Sequence, residues 1–63
     1  MIILFLSRSP RQTVITVEVN ESFETHLYNE NGYTEMHNIA YKMDEAIKNH
    51  KLLCEKCGIK VNM

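Results

Sequence analysis

The chain has 63 residues, of which 44% are apolar and 24% charged, and its formal net charge is −1. A chain of this size forms one domain (1–63) that buries only about 60% of the surface exposed on unfolding. It has little room for a ligand pocket of ~300 Å³ beside its core, which argues against an enzyme. The composition excludes disorder. The near-zero charge speaks against a nucleic-acid binder that works by phosphate neutralisation, and two cysteines are too few for a secreted disulfide scaffold.

Met1-Ile2-Ile3-Leu4-Phe5-Leu6 opens like a signal segment, but Ser7, Arg8, Pro10 and Arg11 end the apolar run. The run is too short to span a membrane or to serve as a signal core, so it reads as a buried strand over 2–6 in a cytoplasmic protein. Residues 7–11 form a loop, because Pro10 lacks a ladder donor and restricts Ser9. Alternation predicts a second strand over 13–19, with Ile15, Val17 and Val19 on one face and Val14, Thr16 and Glu18 on the other. A third strand over 23–28 sets Phe23, Thr25 and Leu27 against Glu24, His26 and Tyr28. Asn20-Glu21-Ser22 matches a glycosylation sequon but reads here as a turn. A two-residue loop at Asn20-Glu21 would pair Val17 with Glu24 and mix apolar with charged residues. A three-residue loop pairs Val19 with Phe23, Val17 with Thr25 and Ile15 with Leu27, which keeps one face apolar and is the preferred register.

Asn29-Glu30-Asn31-Gly32 is a turn. Thr34 then reads as an N-cap, and a helix over 35–57 follows. Its apolar stripe is Met36, Ile39, Ala40, Met43, Ala46, Ile47, His50, Leu53, Cys54 and Cys57, with Asp44 and Lys48 as a supporting pair. Gly58 closes the helix, and residues 59–61 offer a short further strand. The expected architecture is α+β: a three- or four-stranded antiparallel sheet with one long amphipathic helix on one face. That helix would reach ~34 Å, against ~24 Å for a seven-residue strand. Its last turns, with Leu52 and Leu53, would overhang the sheet unless the helix folds back or another chain covers them. Val14 and Tyr28 fall on the side away from the helix. Two uncovered apolar patches point to a protein interface or a homodimer; the alternative is that the tail and first strand cover each other.

Cys54-Glu55-Lys56-Cys57-Gly58 has zinc-knuckle spacing, and His50 shares a helical face with both cysteines. A complete site needs a fourth ligand, and the same spacing also continues the apolar stripe with free cysteines acting as small hydrophobes. No other cofactor is implied. Glu18, Glu24 and His26 lie together on the polar sheet face in the preferred register, where they would form a solvated surface or a partner contact. From Glu18 to Glu35 there are acids at 18, 21, 24, 30 and 35 and no base, whereas lysines 48, 51, 56 and 60 face only Glu55. The chain is thus a dipole whose acidic hairpin end suits a basic surface on a larger protein.

Lys51-Leu52-Leu53-Cys54-Glu55-Lys56-Cys57, after an Ala- and Lys-containing helix, resembles the small early host-takeover proteins of tailed phages. Among these it is most similar to the T-even antitoxins that neutralise a host endoribonuclease toxin, although the cysteines here stand one residue closer together. The resemblance implies a protein that binds and inhibits one host protein in the host cytoplasm. The expectation is a non-catalytic protein-binding module, an inhibitor or antitoxin-like modulator, contacting its partner through Glu18, Glu21, Glu24, Tyr28, Leu52 and Leu53. The alternative is a small zinc-binding or nucleic-acid-contacting regulator using Cys54, Cys57, His50 and the basic helix end.

Overall fold

The computed structural model describes the backbone of all 63 residues and every side chain outside residues 33–36. Four strands, β1 (Ile2–Arg8), β2 (Gln12–Val19), β3 (Ser22–Asn29) and β4 (Gly32–Ala40), precede one helix, α1 (Met43–Cys57). The strands form an antiparallel sheet in the order β1-β2-β3-β4, each joined to the next by a short connection. The α+β class is as expected. The fourth strand, however, comes from residues read as the start of the helix, and residues 59–61 do not join the sheet.

The β2–β3 hairpin turns on Asn20-Glu21 alone. Asn20 takes the left-handed conformation (φ 58°), which asparagine tolerates better than most residues. Val19 therefore pairs with Ser22, Val17 with Glu24 and Ile15 with His26. This is the register rejected on sequence grounds. Its mixed face is tolerated because the helix does not cover it, so Glu24 and His26 keep access to solvent.

α1 lies over β2, β3 and β4. Contacts from His50 and Leu53 to Thr16 and Val14 show that it covers the even-numbered face of β2. The expected orientation of β2 is thus reversed, while β3 presents Phe23, Thr25 and Leu27 to the helix as expected. The core is the cluster Val14, Leu53, Cys54 and Ile59, with Leu27 and Cys57 packed against it.

The 15-residue helix spans about 22 Å, so the expected overhang does not arise. Thr34 is not its N-cap: the helix begins after Lys42, which supplies no side-chain cap. Asp44 and Glu45 favour the positive end of the helix dipole. Asp44 accepts a hydrogen bond from the Glu45 N–H at 3.0 Å, and no ion pair joins it to Lys48. Gly58, at φ 69°, ends the helix as expected. The Gly58 N–H donates to the Glu55 carbonyl and the Ile59 N–H to that of Cys54, and the hydrophobic contact of Ile59 with Cys54 completes a Schellman motif. The side chains of Thr34 and Met36 lie outside the described residues. Among the described residues no helix is long and apolar enough to cross a membrane.

Candidate functional site

Strand pairing sorts the sheet into two faces. Beneath the helix, Phe5 aligns with Thr16 and Thr25, and Ser7 with Val14 and Leu27. On the opposite face, one row runs Ile3, Val17, Glu24 and Ile39 from edge to edge. The next row carries Leu6, Ile15 and His26, and a third carries Arg8, Thr13 and Tyr28. A bulge in β1 between Ile3 and Phe5 brings Ile3 and Leu6 onto this same face although they are three residues apart.

No described element covers the second face. Ile3 and Ile39, at its two edges, are 57% and 45% exposed. Leu6, Ile15 and Tyr28 are half-buried, and Val17 at the centre is 4% exposed. His26 Nε2 and Glu24 Oε1 meet at 2.9 Å along β3, the one ion pair among the described residues, and the His26 ring tilts against Tyr28 at 6.4 Å. The arrangement is an aliphatic surface with one polar pair in its interior, a layout suited to burial against another protein.

The covered side contains the more conspicuous chemistry. His50 has no exposure, and both ring nitrogens are engaged: Nε2 lies 2.8 Å from Ser7 Oγ and Nδ1 lies 2.9 Å from Thr16 Oγ1. Thr16 Oγ1 continues to Thr25 Oγ1 at 3.0 Å, and the Asn62 N–H donates to Ser7 Oγ at 2.8 Å. One consistent proton arrangement runs from the Asn62 N–H to Ser7, from the Ser7 hydroxyl to Nε2, from Nδ1–H to Thr16 and from Thr16 to Thr25. Phe5 meets the imidazole edge-on at 5.6 Å. Burial lowers the His50 pKa, so the ring is held neutral. A serine beside a histidine has the outline of a nucleophile and its base. Here both are fully buried, so the pair ties the helix, the sheet and the C-terminal tail together instead of facing a substrate.

The sequence-predicted site residues scatter. Glu18 and Glu24 do not share a face: Glu18 pairs with Phe23 on the helix side, and Glu24 with Val17 on the open side. Glu21 is exposed in the turn, and Tyr28 lies on the open face. Leu52 is exposed on the helix, whereas Leu53 belongs to the core and is closed to a partner. Cys54 is buried, Cys57 half-buried, and both are free thiols. Burial raises the Cys54 pKa, partly offset by a hydrogen bond with Ser7, while the neighbouring Cys57 adds to the rise. With both His50 nitrogens committed to hydroxyls, a metal at His50, Cys54 and Cys57 would have to displace Ser7 from Nε2 or Thr16 from Nδ1. Among the described residues no three His, Cys, Asp or Glu side chains gather as a metal site.

Ile3, Leu6, Ile15 and Ile39 were missed as candidate contacts. The bulge in β1 and the two-residue turn were the signals needed to place them together. No protein-family model, curated protein or solved structure matches the chain.

Proposed function

We propose that the chain is a non-catalytic binding module that docks on a larger protein through the uncovered sheet face, acting as an inhibitor or antitoxin-like modulator. The observation that carries this reading is the cross-strand row Ile3, Val17, Glu24 and Ile39, backed by Leu6 and Ile15, with no element over it among the described residues. Four strands of seven to nine residues offer on the order of 500 Å². A partner of matching size brings the total to about 1,000 Å², the lower end for a specific interface.

Charge supports the same reading. Glu21 sits at the tip of the β2–β3 turn, Glu24 lies on the docking face nearby, and Asp44 and Glu45 begin the helix at the same end of the sheet. These acids would steer the chain towards a basic partner surface. The test is capture from a bacterial host lysate on immobilised chain, compared with Ile3→Lys and Ile39→Lys variants whose folding is verified by circular dichroism. Both substitutions are expected to abolish capture of a defined protein, and Glu21→Lys to weaken it in low salt. Equal capture by wild type and both lysine variants would overturn the proposal.

A further inference from the structure

The chain contains two arginines, Arg8 and Arg11, and both line one concavity of about 520 Å³ at the β1–β2 end of the sheet. The volume lies within the range of small-molecule sites. It is an open surface hollow, not an enclosed pocket, which is how so small a domain can have one.

The loop holding the arginines is built, not slack. The Ser9 N–H donates to the Gln12 carbonyl at 2.8 Å, and the Gln12 N–H donates back to Ser9 Oγ at 3.2 Å. Pro10 fixes φ at the second position of this turn. Arg8 is the last residue of β1 and pairs with Thr13, and Arg11 follows Pro10 in the turn. One guanidinium group at the end of β1 and one in the closed turn therefore line the same hollow at short separation in sequence.

Neither arginine has a carboxylate within ion-pair distance, since the sole ion pair among the described residues is that of His26 with Glu24. Glu30 lines the same hollow without pairing to either. The hollow thus carries two positive charges against one negative. Thr13, Gln12 and Asn29 add neutral polar groups. Asn29 Oδ1 accepts from the Asn31 N–H at 2.8 Å, which leaves its Nδ2 as the end that can donate into the hollow.

We propose that this hollow binds the phosphate group of a small phosphorylated metabolite, with Arg8 and Arg11 as its main ligands. A guanidinium presents paired N–H donors that match phosphate oxygens, and two such forks suit a dianion. A phosphate alone would fill little of 520 Å³, so the site has room for the sugar or nucleoside that carries it. Glu30, in the lining, disfavours a second phosphate and offers an acceptor to a hydroxyl of the attached group. The site needs no protein partner, so its test is separate from that of the docking face.

The test is a titration of the full chain, followed by amide NMR at constant ionic strength, with inorganic phosphate in one arm and adenosine monophosphate in the other. Saturable shifts confined to residues 8–13 and 29–31 are expected in both arms, with tighter binding of the nucleotide. Phosphate alone binding as tightly would overturn the assignment to a phosphorylated metabolite. Arg8→Ala with Arg11→Ala is expected to abolish saturation while leaving the rest of the spectrum in place. Arg8→Lys with Arg11→Lys is expected to weaken binding about tenfold, because an ammonium cannot present the fork. Glu30→Gln is expected to tighten the phosphate arm by removing repulsion. Linear, unsaturated shifts, or the same affinity in the alanine variant, would overturn the site itself.

Discussion

The two faces of the sheet differ in a way that inverts a simple expectation. The face under the helix holds a polar chain, Ser7, His50, Thr16 and Thr25, within its buried centre. The face without a helix carries Ile3, Leu6, Ile15, Val17 and Ile39. The covered side gains specificity from hydrogen bonds that fit one helix position, and the open side keeps the aliphatic surface that association can bury. This division separates what holds the fold from what is available to a partner.

The largest effect is expected on the covered side. His50→Ala removes a fully buried ring and strands the Ser7 and Thr16 hydroxyls, at a cost of about 3 kcal/mol or more. A domain of this size rarely holds more than about 3–5 kcal/mol in total. The variant should therefore be largely unfolded at 25 °C by circular dichroism. A cooperative melt close to that of wild type would show that the hydrogen-bonded centre is dispensable, and the contrast between the faces would lose its basis.

Acid should act on the same centre. The native His50 pKa is lowered by burial, so the unfolded chain binds that proton more readily. The contribution is fully present above the usual histidine value of ~6.5 and is lost as pH falls below it towards the native pKa. Within that window stability should drop by up to ~1.4 kcal/mol per pH unit. Urea midpoints measured at successive pH values from neutral downwards would test this; a flat profile would mean the imidazole accepts its proton in place.

How much of this was legible in the sequence depends on where the two-residue period survives. β2 and β3 were readable from their alternation, β1 from its unbroken apolar run, and Gly58 from its place after the apolar stripe. β4 was not, because its bulges break the period. Met36 pairs with His26 and Ile39 with Glu24, so positions two apart on β3 match positions three apart on β4. That three-residue step, continued by Ala40 and Met43, imitates a helix. The hairpin was misread for a related reason. Keeping Ile15, Val17 and Val19 with Phe23, Thr25 and Leu27 assumes that the most apolar face is the covered one. Instead Val14 and Thr16 face the helix, and the threonine is satisfied there by Thr25 on β3 and by His50, which reaches it from the stripe. His50 was legible as a core position, but its hydroxyl partners, 43 and 34 residues distant in sequence, were not.

A smaller effect on stability is expected on the open face. Ile39 is 45% exposed on the edge strand β4, where lysine is well tolerated. Ile39→Lys should change the unfolding free energy by no more than about 0.5 kcal/mol, as for ordinary surface substitutions. If it instead destabilised the isolated chain as His50→Ala should, the open face would be part of the core and not a free surface.

The two thiols provide a comparison that leaves stability untouched. Cys54 is fully buried beside Val14, Leu53 and Ile59, and its pKa is raised by that burial, whereas Cys57 stands half-buried one turn later. Thiolate is the reacting form, so both access and ionisation disfavour Cys54. An aromatic disulfide reagent at mildly alkaline pH should label Cys57 first and Cys54 only in denaturant. Cys57→Ser should remove the fast phase with little change in melting temperature. Labelling of Cys54 in native buffer at the Cys57 rate would require the helix to lift from Val14 and Ser7 within the reaction time. The covered face would then be as open as the uncovered one on that timescale, and exposure could no longer decide which of the two binds a partner.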